Sequence, residues 1–266
     1  MKTGDSWSAG FSLSWDSLKA GLQLALAAGS LLRGTNARAD EKADAVRDLI
    51  PWLLDEKESL KGIRFADVIA ATSGKKILPF GPADADDQRV LRQIGSAMDE
   101  VLRQMNAPES PVRSARRVNE MSSHFETALR VALNAQPGLA CDFPKTADGK
   151  VQRSGYPDLR IVDAATKRIV YLDPKLYAKG SRASSFRTFY FEPKRETNKV
   201  TDDARHLIVG IEHGQDAEGA TQFLRWELID LAEFRVKLKA EFEGSNADLY
   251  RPEAIVGRSA PAAKQE

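Results

Sequence analysis

The sequence predicts an α+β or α/β protein, with a helical N-terminal half followed by a sheet-forming half. Three observations carry this. Apolar residues between Asp86 and Met105 recur on a helical period. Beyond Pro137-Gly138 the chain breaks into short runs rich in β-branched and aromatic residues. The composition, 42% hydrophobic and 29% charged over 266 residues, is that of a folded globular protein. At about 150 residues per domain, this length allows one large domain or two small ones.

The elements follow in order. Leu18 to Leu32 reads as a helix. Ala20 to Leu32, followed by Ala37, Arg38 and Ala39, has the outline of a signal peptide and its cleavage site. Asp5, Trp7, Trp15 and Asp16 precede that run and Arg33 interrupts it, so a buried helix is expected instead. Asp40 to Leu60 is a second helix, expected to break near Pro51, which lacks the N–H and crowds the preceding turn. From Asp86 to Met105, Val90, Leu91, Ile94, Ala97, Met98, Val101, Leu102 and Met105 form one apolar stripe. Asp84, Asp86 and Asp87 stand at its start, where they complement the helix dipole. A helix from Val118 to Asn134 carries Met121, Phe125, Ala128, Leu129, Ala132 and Leu133 on one face. Strands are predicted at 159–163, 169–173, 186–191, 206–211 and 222–229, with helices at 196–205 and 230–242. The reading divides the chain into a helical region, 1–110, a core, 111–243, and a loose tail, 244–266.

Composition excludes several chemistries. A single cysteine, Cys141, rules out an intramolecular disulfide and cysteine-rich zinc sites, and fits a reducing, cytoplasmic setting. No run approaches the ~18–20 apolar residues of a membrane span. Ser73-Gly74-Lys75-Lys76 lacks the first glycine and the hydroxyl residue of a phosphate loop, and neither G-x-G-x-x-G nor G-x-S-x-G occurs. The three histidines, His124, His206 and His213, do not have zinc-protease spacing; the last two flank an apolar strand and read as ladder-end residues.

What remains is Tyr156-Pro157-Asp158, fourteen intervening residues, and Asp173-Pro174-Lys175. The two flanking strands are joined by Ala164 to Lys167, a four-residue hairpin loop. Pairing Asp163 with Arg168 sets Asp158 opposite Asp173, and strand alternation puts Lys175 on the same face. Like charges facing each other across a ladder are destabilising. A divalent cation between them reverses the sign, and carboxylate oxygens suit Mg²⁺. Pro174 keeps a carbonyl that is a further candidate ligand, but its missing N–H is expected to make the strand bulge or end there. Seven Lys/Arg against two Glu between Lys175 and Lys199 give this stretch a local +5, a candidate anion-facing patch.

This arrangement resembles the PD-(D/E)xK nuclease superfamily over about Val118 to Glu212. Asp158 matches the first acid, Asp173 the second and Lys175 the lysine. The resemblance implies a restriction-endonuclease-like fold, a mixed central sheet flanked by helices. It also points to Glu126 as the additional acid on the preceding helix. It further implies a Mg²⁺-dependent endonuclease, with Mn²⁺ as a substitute, acting on duplex DNA in defence against foreign DNA, with a homodimer as the candidate assembly. Asp158, Asp173, Pro174 and Glu126 are the candidate metal ligands. Lys179, Arg182, Arg187, Lys194, Arg195 and Lys199 are the candidate phosphate contacts. Plain structural alternatives stand beside these: a turn-capping Asp158, an exposed strand charge at Asp173, a Lys175 salt bridge, and Glu126 paired with Arg130. Glu192-Pro193-Lys194 is a rival E-x-K. Other functions open to the same core are a non-catalytic nucleic-acid-binding protein and a repair or recombination nuclease, and the first 110 residues could instead form an interaction module.

Overall fold

The computed structural model describes residues 36–55, 60–114, 118–185 and 189–257. The predicted helix at 18–32 lies outside them. The chain divides into two units, Met1–Lys57 and Glu58–Glu266. In the first, α1 (Asn36–Asp55) runs through Pro51 instead of breaking there. Proline removes only the bond to the carbonyl of Arg47, and the turns on either side keep theirs.

In the second unit the elements are β1 (Ile63–Arg64), α2 (Phe65–Ser73), α3 (Ala85–Met105), α4 (Val118–Asn134), β2 (Leu139–Asp142), β3 (Leu159–Asp163), β4 (Ile169–Ala178), β5 (Arg205–Gln215), β6 (Thr221–Asp230), β7 (Arg235–Val236) and α5 (Asn246–Leu249). Strands β2 to β6 form one mixed sheet in that order, antiparallel except for the parallel β4–β5 pair. Helices pack on both faces. The architecture is the mixed α/β sheet with flanking helices that the sequence predicts, and it is compatible with a restriction-endonuclease-like fold.

Alternation along the strands sorts the core into two layers. Leu159, Ile161, Val170, Leu172, Leu207, Val209 and Ile211 face the stripes of α3 and α4. The opposite face carries Tyr171 and His206, and there Tyr171 packs with Phe65 and Ile69 of α2, Tyr156, Val200 and Leu231. Asp84 caps α3 by accepting hydrogen bonds from the N–H groups of Asp86 and Asp87. One step further in, Asp87 is buried and accepts from Arg168 Nη1 at 2.8 Å, Arg205 Nη2 at 2.9 Å and Gly81 N at 2.8 Å. This cluster ties the start of α3 to β4 and β5.

Two predicted helices are absent. Residues 196–205 reach β5 as irregular chain, because their backbone partners are distant. The Ala204 N–H donates to Lys76 O at 3.1 Å, and Leu78 N–H donates to Ala204 O at 2.8 Å. Residues 230–242 instead end β6, turn and form β7. Leu231 N–H donates to His206 O at 2.9 Å, Phe65 N–H to Phe234 O at 2.8 Å, and Leu238 N–H to Leu60 O at 2.8 Å. Of the predicted strand at 186–191, residues 189–191 are irregular and the rest lie outside the described residues.

Pro174 is the third difference. Strand β4 neither bulges nor ends there, and Pro174 pairs with Val209 in an unbroken parallel register. The Asp163 N–H donates to Arg168 O, so even-numbered positions of β4 turn their backbone groups toward β3. Strand β3 starts at Leu159, opposite Leu172, so the missing N–H of Pro174 points past the end of β3, where no ladder bond is due.

Candidate active site

The β3–β4 hairpin carries the candidate site. Its register pairs Leu159 with Leu172 and Val162 with Ile169, as the four-residue loop dictates. Asp163 closes that loop, accepting from the Thr166 hydroxyl at 2.5 Å and from both Arg89 amino groups at 3.1 and 2.8 Å. Helix α3 thereby holds the hairpin at its turn, and the candidate site residues lie at the opposite end, where β3 begins.

There the structure brings Asp158, Asp173 and Lys175 together. Lys175 Nζ lies 2.5 Å from Asp173 Oδ2 and 4.0 Å from Asp158 Oδ2. The Asp173 side chain is 1% exposed; its Oδ2 is ion-paired to Lys175, and its Oδ1 has no hydrogen-bond partner. Burial, reinforced by the charge of Asp173 and opposed by Lys175, pushes the Asp158 carboxyl up to about 8. Burial pulls the Lys175 ammonium down, but Asp173 and then Asp158 outweigh it and hold its pKa above the ordinary lysine value.

Glu126 on α4 adds negative charge to the field at Asp158. Its partner is not Arg130. Arg153 Nη2 donates to Glu126 Oε2 at 3.0 Å, and the Arg153 guanidinium stacks 4.6 Å from the Phe143 ring centre. Among the described residues, no three His, Cys, Asp or Glu side chains close into a ready-made metal cage. The residues nonetheless fit a hard divalent cation. Two carboxylates face each other at a buried hairpin end, and the deeper one keeps an oxygen, Oδ1, without a protein hydrogen-bond partner. Mg²⁺ needs few protein ligands because it keeps several of its waters.

The predicted phosphate contacts separate into groups. Lys179 and Arg195 are exposed. Arg182 is exposed and paired with Glu227 at 2.9 Å. Arg187 lies outside the described residues. Lys194 pairs with Glu192 at 2.8 Å on irregular chain, and both are well exposed, unlike the buried Asp173. Lys199 does not fit the expectation of a surface phosphate contact: it is 1% exposed and donates to the Gly155 carbonyl. Burial lowers its pKa, and Asp158, Asp173 and Glu126 oppose that shift, so it stands beside the acid cluster.

The sequence reading also missed how Tyr156 is held. Its hydroxyl lies 2.7 Å from His206 Nδ1, and burial drives that imidazole down to about 3. Both residues are buried, which agrees with a structural reading of His206.

Comparison with known proteins follows the same line. Residues 58–253 match the family model described as type II restriction enzyme MjaV family. The chain belongs to the type II restriction enzyme MjaV family. A curated relative, the type II restriction enzyme MjaV of Methanocaldococcus jannaschii, is 30% identical over 212 residues, covering 75% of this chain and 90% of its own length. The stretch matched by the MjaV family model contains every element of the sheet, both flanking helices and the hairpin with its three charged residues. Among the described residues, no helix is long and apolar enough to cross a membrane.

Proposed function

We propose that this chain is a Mg²⁺-dependent endonuclease of the PD-(D/E)xK type that cleaves duplex DNA, in the manner of a type II restriction enzyme. Membership of the MjaV family supports DNA cleavage. The observation that carries the metal chemistry is the buried Asp173, ion-paired to Lys175 through Oδ2 and standing beside Asp158 with Oδ1 unpartnered.

Asp158 and Asp173 hold the cation, with the Pro174 carbonyl and Glu126 contributing directly or through water. A bound divalent cation supplies Lewis-acid activation of the scissile phosphate and of water. Lys175, held as an ammonium by Asp173 and Asp158, orients the attacking water and offsets the charge developing on the phosphate. Lys179, Arg182, Lys194 and Arg195 line the exposed side of the chain that follows β4 and position the duplex through its phosphates. Cutting both strands calls for two such sites, so the proposal includes a homodimer, acting in the cytoplasm.

The test is incubation of plasmid and phage DNA with the full chain in Mg²⁺, Mn²⁺, Ca²⁺ or excess chelator, with the ends of any fragments sequenced. Discrete fragments with Mg²⁺ or Mn²⁺, binding with little turnover in Ca²⁺, and no cleavage in chelator are expected. Asp173→Ala and Lys175→Ala should stay folded and lose cleavage, by about 10²–10³ for the lysine as a group that stabilises developing charge. Full activity in chelator overturns the metal reading. Metal-indifferent DNA binding without cleavage makes this a non-catalytic member of the fold.

A further inference from the structure

Lys199 lies on the long crossover from β4 to β5, in a stretch where Glu192 to Thr197 are exposed. Its own side chain is 1% exposed. The neighbourhood is fixed from both sides: Val200 N–H donates to the Asn198 side chain at 2.9 Å, and Ala147 N–H donates to Asn198 O at 3.1 Å. The ammonium therefore does not enter the protein because its loop happens to fold over it. The backbone there is pinned, and the side chain is aimed inward.

Its bond goes to a carbonyl, that of Gly155, three residues before Asp158. Burying an ammonium against a neutral acceptor is unfavourable, and an apolar side chain of the same length would fill the space at less cost. Burial lowers the ammonium's pKa; the field of Asp158, Asp173 and Glu126 offsets part of that, and Lys175 works against it. Gly155 has φ of +80°, a left-handed turn that side-chain-bearing residues resist. The turn leading to Asp158 is thus gripped at two successive residues, at Gly155 by Lys199 and at Tyr156 by His206.

We propose that Lys199 is a positioning residue of the active site: by holding the Gly155 carbonyl it fixes where the Asp158 carboxylate stands relative to Asp173, and so sets the affinity of the site for its divalent cation. The inference rests on the metal-dependent reading above. It replaces a role in phosphate binding, since an ammonium shielded from solvent cannot reach a duplex on the surface.

Two variants of the full chain test it. Lys199→Met removes the donor and the charge, whereas Lys199→Gln removes the charge but keeps an N–H₂ donor. The readouts are Ca²⁺ binding by calorimetry without DNA, the Mg²⁺ concentration at half-maximal plasmid cleavage, and DNA binding in chelator at two salt concentrations. Lys199→Met should weaken Ca²⁺ binding at least tenfold and raise the half-maximal Mg²⁺ concentration to match. Lys199→Gln should stay within about threefold of the parent, and neither variant should change DNA affinity or its salt dependence. Unchanged or tighter Ca²⁺ binding in Lys199→Met overturns the inference, as does a lowered salt slope, which would return Lys199 to phosphate binding. Should Lys199→Met fail to fold, Lys199→Gln decides alone, and a tenfold loss of Ca²⁺ affinity in it overturns the inference. A parent protein that cuts in chelator or binds no Ca²⁺ fails the metal reading instead, a distinguishable result.

Discussion

Arg153 Nη2 holds Glu126 Oε2 at 3.0 Å, joining α4 to the loop that leads into β3. The Glu126 side chain is 15% exposed, so this contact governs where the carboxylate points. Under the proposed mechanism, Arg153 acts only through Glu126. Glu126→Ala should reduce cleavage more than Arg153→Ala, and the double variant should be no worse than Glu126→Ala alone. The double-mutant cycle on kcat/KM should therefore show coupling, of about 0.5–3 kcal/mol. Additive losses would separate the two residues.

The metal-free protein should become less stable as pH rises toward 8. The Asp158 carboxyl is held up to about 8 by burial and Asp173, whereas in the unfolded chain it titrates near ~3.9. Between those values the folded state keeps a proton that the unfolded state releases, so this contribution is complete at low pH and is lost as pH rises through the folded value. His206 acts in the opposite direction: burial lowers it to about 3, so its contribution is present above ~6.5 and is lost as pH falls. The clean window is therefore about 6.5 to 8. Thermal melts in chelator should show a falling midpoint there, and Asp158→Asn should flatten the slope. Adding Ca²⁺ at pH 8 should raise the midpoint by mass action.

Neutralising Lys179, Arg182 and Lys194 together should weaken binding to every duplex by a similar factor. For each phosphate that a removed cation had neutralised, the slope of log K against log salt should fall by about 0.9. Binding titrations in chelator at two salt concentrations measure this. An unchanged slope makes the three residues ordinary surface.

Asp87 is a stability residue remote from the chemistry. It is 1% exposed and accepts from Arg168 and Arg205, both themselves largely covered. Asp87→Ala strands the Arg205 guanidinium beside the sheet, while Arg168 keeps Asp84 at 2.7 Å, and should cost about 3 kcal/mol, the low end of the penalty for breaking a buried ion pair. Urea denaturation measures the loss. At temperatures where the variant remains folded, cleavage should be near normal.

How much could be read from the residues depended on how far apart the partners lie. The β3–β4 register was legible because Asp163 and Arg168 flank a four-residue loop, so one local pairing fixes all the others. The helices α3 and α4 were legible because their apolar stripes repeat over four or more turns. The segments after Glu196 and Asp230 misled because their apolar residues serve distant partners. Val236 of β7 pairs with Ile63, far back in the chain, and no local pattern announces such a contact. Strand β2 is only four residues, Leu139–Asp142, too short for its alternation to stand out. Lys199 was hidden for a different reason: a lysine in a basic run reads as solvated, and only the fold shows that its acidic surroundings come from α4, β4 and the turn before β3.

Pro174 has a consequence for how the sheet is threaded. Strand β4 is ten residues long and sits between two partners of opposite sense, so a slip by one position would leave most of its hydrogen bonds available. Slipped by one, the imino nitrogen would meet β5, which expects a donor, and Asp173 and Lys175 would turn into the oily layer beneath α3 and α4. Both penalties fall on the same three residues. The same triplet therefore also fixes strand phase: the observed register keeps Pro174 off the β5 ladder and keeps Asp173 and Lys175 out of that layer.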